Sequence, residues 1–299
     1  MTRGSQSERM DMIADQSILP HADLAAAWAA IKLSEQARER LLAQSVLALQ
    51  LRQKFPFETM PIHGLIVLSG PPGTGKTTLA RGLANKVAVA LKGTKARFIQ
   101  IDPHALTSSA LGRSQKEVTK LFHQVIPEYA AGDPCIVLLD EVETLAPDRH
   151  RMSLEANPID VHRATDAALA GIDLLTRKHR NVLLVATTNF PQAVDRALMS
   201  RADWIEDIPL PGPEARTEII TDVLDLLTTT WPGVSDLKRH IRSFVAASEG
   251  LDGRRLRKAI VSAAATSVDI ARDLNKLKAE HILTTLKTVA KAQPREGVV

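Results

Sequence analysis

With 299 residues, 44% of them hydrophobic, the chain is long enough for one large domain or two modest ones, which excludes a disordered tail or a collagen-like fibre. The 38 Lys and Arg against 34 Asp and Glu leave a net charge of +4, too mild to argue for nucleic acid, and 3 Trp, 1 Tyr and 6 Phe are few for stacking on single strands. The lone Cys135 cannot form an internal disulfide, no Cys/His cluster has metal-ligand spacing, and no run reaches the ~18 apolar residues that cross a bilayer, so a soluble, cytoplasmic protein away from membranes is expected.

Residues 1 to about 20 are polar and patternless, and a flexible N-terminus is expected there. From Ala22 to Lys54 apolar residues recur at helical spacing, as in Ala37, Leu41, Val46 and Leu51, which predicts two helices. Leu65 to Leu68 then reads as a strand closed by the glycine-rich Ser69 to Gly75, with a helix from Thr77 to about Leu91. The β-prone runs Arg97 to Ile101, Cys135 to Leu139, Asn181 to Thr187 and Trp204 to Ile208 follow, each separated by enough chain for a crossover helix. This alternation predicts an α/β fold with a parallel five-stranded sheet over residues 21–210. Past Pro209, Pro211 and Pro213 the segments Glu214 to Leu227, Leu237 to Ala247, Gly253 to Leu274 and Ala279 to Ala292 read as helices alone, a small all-helical lid over residues 211–299.

Gly70-Pro71-Pro72-Gly73-Thr74-Gly75-Lys76-Thr77, with Thr78 beside it, fits the phosphate-binding loop at every fixed position and lies between a strand and a helix. Its glycines let backbone N–H groups close around phosphate oxygens, Lys76 reaches the β and γ phosphates of ATP, and the Thr77 hydroxyl suits Mg²⁺. The apolar run Cys135 to Leu139 ends in Asp140 and Glu141. In a nucleotide site the first would hold Mg²⁺ and the second would orient and deprotonate the attacking water. Val185 to Asn189 ends the next strand at the same sheet edge, so Asn189 is a candidate for the γ-phosphate or that water. Arg201 is the favoured guanidinium for charge on transferring phosphoryl oxygens, against the plainer reading of a salt bridge with Asp203. Farther on, Gly253-Arg254-Arg255-Leu256-Arg257-Lys258 opens a helix, and by phase Arg254 is the side chain that reaches back to nucleotide; a solvated charge run is the alternative.

In this order the segments resemble the AAA+ ATPases. More narrowly they resemble the pachytene-checkpoint family that remodels HORMA-domain proteins, on Val118 to Phe122, Leu139-Asp140-Glu141-Val142-Glu143-Thr144-Leu145, Asn157-Pro158 with Asp160 and Arg163, Ser200-Arg201-Ala202-Asp203, and Ser248 to Leu251 with Gly253-Arg254. The resemblance implies a homo-hexameric ring that uses ATP and Mg²⁺, with Arg201 acting in trans and Arg254 sensing nucleotide. It further implies a HORMA partner threaded through the pore, and the compact bacterial members that accompany second-messenger synthases in phage defence are the most similar. Two departures accompany it. Only about 60 residues precede the first strand, where the family carries a sizeable recognition domain, and the pore loop reads Ser109-Ala110-Leu111-Gly112, without the usual aromatic. A nucleic-acid motor or clamp-loader-like switch is the alternative use of such a core.

Overall fold

The computed structural model describes residues 12–92, 95–106, 113–148 and 158–292. Among these, six strands form one sheet: β1 (Ile13–Leu19), β2 (Leu65–Ser69), β3 (Ala96–Ile101), β4 (Cys135–Leu139), β5 (Val182–Thr188) and β6 (Trp204–Asp207), in spatial order β1-β3-β4-β5-β2-β6. Strands β2 to β6 pair in parallel, as the helical crossovers between them require. The longer helices of this unit are α1 (Ala22–Ala30), α2 (Glu35–Lys54), α3 (Lys76–Ala90), α4 (Arg113–Lys120) and α5 (Pro158–Lys178). A single π turn, Leu121–Val125, continues α4 and buries Leu121 and Phe122.

The central strands are apolar up to their last one or two positions because both sheet faces are covered. Leu65, Val67, Val137 and Leu184 point to the side of Phe122 and Ile172, whereas Ile66, Leu68, Ile136 and Leu183 meet Leu41, Leu79 and Leu83. Each such side chain, taken from water into the core, stabilises the fold by about 1.5–3 kcal/mol.

Two expectations are corrected here. The sheet has a sixth strand and is mixed, because β1 runs antiparallel to β3, so residues 13–19 are ordered into the sheet and are not a patternless terminus. Its alternation was hidden because the inward positions include Asp15 and Ser17. Asp15 pairs with Arg81, whose guanidinium also donates to Gln100 Oε1 at 2.7 Å, so a polar side chain is satisfied on the covered face. Residues 1–11 lie outside the described residues.

Arg52, on α2, is buried to 4% exposure. Its guanidinium donates to the carbonyls of Leu175 at 3.1 Å and His179 at 3.2 Å, at the end of α5, and to that of Val182 at the start of β5. The Leu175 and His179 carbonyls already accept the N–H groups of His179 at 2.9 Å and Val182 at 3.1 Å, so Arg52 is a second donor to each, at the helix end that favours a cation. Burial lowers the Arg52 pKa to about 10, against the pull of Asp203 that raises it.

The chain divides into two units, one comprising residues up to Gly70 with Lys76–Ile208, the other Pro71–Gly75 with Pro209 onward. The second unit is helical: α6 (Pro213–Thr228), α7 (Ile241–Ala247), α8 (Gly253–Ser262) and α9 (Ala279–Lys291) gather around Ile220, Leu224, Phe244, Leu256, Ile260 and Ile282. The helix expected over 253–274 is broken, since Ser267 caps a new turn through its hydroxyl, which accepts from Ile270 N at 3.3 Å. No described helix is long and apolar enough to cross a membrane.

Candidate active site

Parallel register brings the chemistry together. Ser69 lies beside Thr188 and Leu139 beside Ala186, so β2, β4 and β5 finish at one edge, where open α/β sheets bind ligands. The residue after β4, Asp140, consequently faces Thr187 on β5 and Thr77 at the start of α3. Its Oδ1 accepts from the Thr77 hydroxyl at 2.9 Å and from the Thr187 hydroxyl.

The loop between β2 and α3 has left-handed backbone at Gly73 (φ 82°) and Gly75 (φ 93°). At Gly70 a side chain would meet the Ile208 carbonyl, so no larger residue fits there. Pro72 is exposed, and the Thr74 hydroxyl donates to the Pro71 carbonyl at 3.0 Å. Lys76 is buried at the first position of α3, where its ammonium donates to the Gly70 carbonyl at 2.7 Å. Thr77 and Thr78 are half-buried in the first turn, at the end of the helix that favours negative charge.

Glu141 is exposed and holds a left-handed backbone, φ 50° and ψ 55°. Such a conformation costs a non-glycine residue about 1–3 kcal/mol and is tolerated where the surroundings enforce it. The enforcing contacts include the Glu141 N–H, which donates to the Thr187 hydroxyl at 3.2 Å, and a short helix, Val142–Leu145, that starts at once. Asn189 follows β5 and is half-buried; its N–H donates to Glu143 Oε1 at 3.1 Å.

Arg201 lies on the turn before β6, and the expected competitor, a salt bridge with Asp203, does not form. Its partner is Asp173 of α5, engaged at both ends of the fork: Nε to Oδ1 at 2.8 Å and a terminal nitrogen to Oδ2 at 2.9 Å. The other terminal nitrogen donates to the Ala197 carbonyl at 2.7 Å. These bonds hold the Asp173 carboxyl below the usual carboxylate range and raise the Arg201 pKa. Asp203 instead accepts three backbone N–H groups, those of His63 at 2.9 Å, Gly64 at 2.5 Å and Leu65 at 3.0 Å, and so fixes the start of β2.

In the helical unit, Asp252 caps α8 by accepting from Arg255 N at 2.9 Å, and the Arg254 N–H meets the Gly73 carbonyl at 3.4 Å with its side chain exposed. Ser109, Ala110, Leu111 and Gly112 lie outside the described residues.

Several contributors went unread in the sequence. Asp173 is one acid on a long helix, and Thr187 has no distinguishing neighbour. Glu143 stands within the quoted Asp-Glu-Val-Glu-Thr-Leu run, and the only signal it offered was that extra acid. A divalent cation fits between Asp140 and Thr77, which supply one carboxylate and one hydroxyl, both hard oxygen donors. Among the described residues no group of three or more His, Cys, Asp or Glu side chains is placed to hold a metal, so a cation there would rely on nucleotide oxygens as well.

Comparison with known proteins agrees with this geometry. Residues 66–210 match the model of the ATPase family associated with various cellular activities, AAA. The chain is 46% identical over 281 residues to CD-NTase-associated protein 6 of Pseudomonas aeruginosa, covering 93% of this chain and 92% of that protein. It is 30% identical over 281 residues to a pachytene checkpoint protein 2 homolog of Xenopus tropicalis, covering 85% of this chain and 64% of the relative. In fold it is similar to a chain of an E. coli MS115-1 HORMA:CdnC:Trip13 complex, with a TM-score of 0.75 at 17% identity over 97% of this chain and 99% of the other. The phosphate loop, the Asp-Glu strand end and this likeness along nearly the whole chain agree: it belongs to the AAA ATPases, in the family of CD-NTase-associated protein 6.

Proposed function

We propose that this ATPase is a homo-hexameric, cytoplasmic remodeller that converts a HORMA-domain protein between closed and open conformers and thereby regulates a bacterial antiphage second-messenger system. The observation that carries the reading is the 46% identity along nearly the whole length of a protein named for its association with a CD-NTase. The structural neighbour taken from a complex with HORMA and CdnC supports it at the level of the fold.

In this reading the Gly70 to Thr78 loop and Lys76 hold the phosphates of ATP, and Lys76 exchanges the Gly70 carbonyl for phosphate oxygen. Thr77 and Asp140 hold Mg²⁺, which when bound neutralises charge on the phosphates. Glu141 takes a proton from the water that attacks the γ-phosphorus as the bond to the β–γ bridging oxygen breaks, and Asn189 orients that water. Arg201 serves the site of a neighbouring copy, where phosphoryl oxygens replace Asp173 on its fork. Arg254 senses nucleotide beside Gly73. Ser109 to Gly112 contact the threaded segment, with Leu111 as the large apolar side chain.

The test is a Glu141→Gln chain incubated with a HORMA-domain protein of the same locus. An ATP-dependent complex is expected, together with conformer conversion by the unsubstituted chain. ATP turnover stimulated by DNA, with no HORMA complex, overturns the proposal in favour of a nucleic-acid motor.

A further inference from the structure

Glu143 has no part in the chemistry assigned above, yet its carboxylate is spent on the site. It sits in the short helix that follows Glu141, where a carboxylate would ordinarily turn to solvent or to the N–H groups of its own helix start. Instead it crosses to the end of β5, where Oε1 accepts the main-chain N–H of Asn189 at 3.1 Å. Its other oxygen, Oε2, is buried and has no hydrogen-bond partner among the described residues. A buried carboxylate oxygen left without a donor is costly, so the bond to the Asn189 N–H is made at the expense of the other oxygen.

The two strand-end segments do not need Glu143 to stay together. Asp148 N donates to the Ala193 carbonyl at 2.8 Å, Asp195 N to the Ala146 carbonyl at 2.8 Å, and Pro147 bridges Val194. The side chain of Glu143 is therefore available for a finer task than holding the fold.

We infer that Glu143 is a positioning residue for Asn189: its Oε1 fixes the backbone of Asn189, which sets the direction of the carboxamide toward the attacking water. The inference rests on the role given to Asn189 under the proposed function. It makes the second acid of the Asp-Glu-Val-Glu run a determinant of how the water is aligned for attack.

A double-mutant cycle on the full chain tests this, with steady-state ATPase kinetics and melting temperature on the same preparations. Asn189→Ala is expected to lower kcat at least tenfold. Glu143→Ala is expected to lower kcat about tenfold, in the range of misplaced catalytic groups, with KM for ATP within twofold. In the Asn189→Ala background, Glu143→Ala is expected to add less than twofold, since the side chain it positions is gone. Glu143→Gln keeps the shape and one carbonyl oxygen, folds where the alanine variant does not, and carries the same cycle with a smaller loss. Additive losses in the cycle, or a fall in melting temperature with unchanged kcat, overturn the role of Glu143 while leaving that of Asn189. Full activity of Asn189→Ala removes the role of Asn189 and the inference with it.

Discussion

At the ends of β2 and β4 the carboxylate of Asp140 is held by hydroxyls, Thr77 and Thr187, whereas on the turn before β6 the guanidinium of Arg201 is held by a full carboxylate, Asp173. The first arrangement joins one charge to neutral donors, each bond worth about 1.5–3 kcal/mol, and an arriving cation can replace a hydroxyl without stranding another charge. The second is a bidentate pair of opposite charges, and whatever takes Arg201 must be anionic and must match its fork. One region is prepared for a ligand; the other is satisfied within its own subunit until something more negative than a carboxylate competes for it.

The comparison can be broken at either end, beginning with the largest effect. Glu141→Gln is expected to bind ATP as the parent does and to lose about 10⁴-fold in turnover, the upper end for a general base, measured by phosphate release beside calorimetric titration. Normal turnover would remove Glu141 from the site. Arg201→Ala should cost about 10³-fold with ATP binding nearly intact, as for other arginines that act on phosphoryl transfer. Mixing it with Glu141→Gln subunits should restore part of the activity, because some interfaces then carry both groups. A flat response across mixing ratios excludes action in trans.

Smaller effects separate loading from latching. Thr187→Val removes a hydroxyl that both holds Asp140 and accepts from the Glu141 N–H, and a loss of about tenfold in kcat is expected, the equivalent of one hydrogen bond. Thr187→Ser should recover most of it. The smallest effect is on acid stability. The Asp173 pKa is lowered in the fold, so its contribution is complete above the unfolded carboxylate pKa and is lost as pH falls through the folded value. Both partners are partly exposed, which limits the size of the effect. Asp173→Asn should flatten the acid limb of a melting-temperature profile below the ordinary carboxylate range, and an unchanged limb would show that the pair adds nothing there.

What could be read from sequence depended on whether a residue's meaning is local. Strands β2 to β5 were legible because burial on both faces makes apolar runs, and so was the gathering of Lys76, Thr77, Asp140 and Glu141 at one sheet edge, because they follow the ends of two such runs in parallel register. Strand β1 was not, since its inward Asp15 is matched by Arg81 and Gln100, two residues far away in sequence. Neither was the partner of Arg201. Adjacency favoured Asp203, but the three N–H groups at the start of β2 take up that carboxylate, and the true partner comes from a helix whose crossing angle no local pattern encodes. The break of the second-unit helix at Ser267 was available as a capping residue, though the apolar spacing on either side masked it.

The buried Arg52 bears on where this domain can be cut. The stretch that matches the AAA family model starts at residue 66, and a fragment trimmed to that border would keep the whole of that match. It would lack α2, and with it the guanidinium that donates to the carbonyls of Leu175 and His179, as well as Leu41 and Leu49 from the layer over Ile66 and Leu68. Such a fragment would expose one face of its sheet to water and to other copies of itself, so the smallest unit with both sheet faces covered begins upstream of Glu35, well before the first residue that the family model matches.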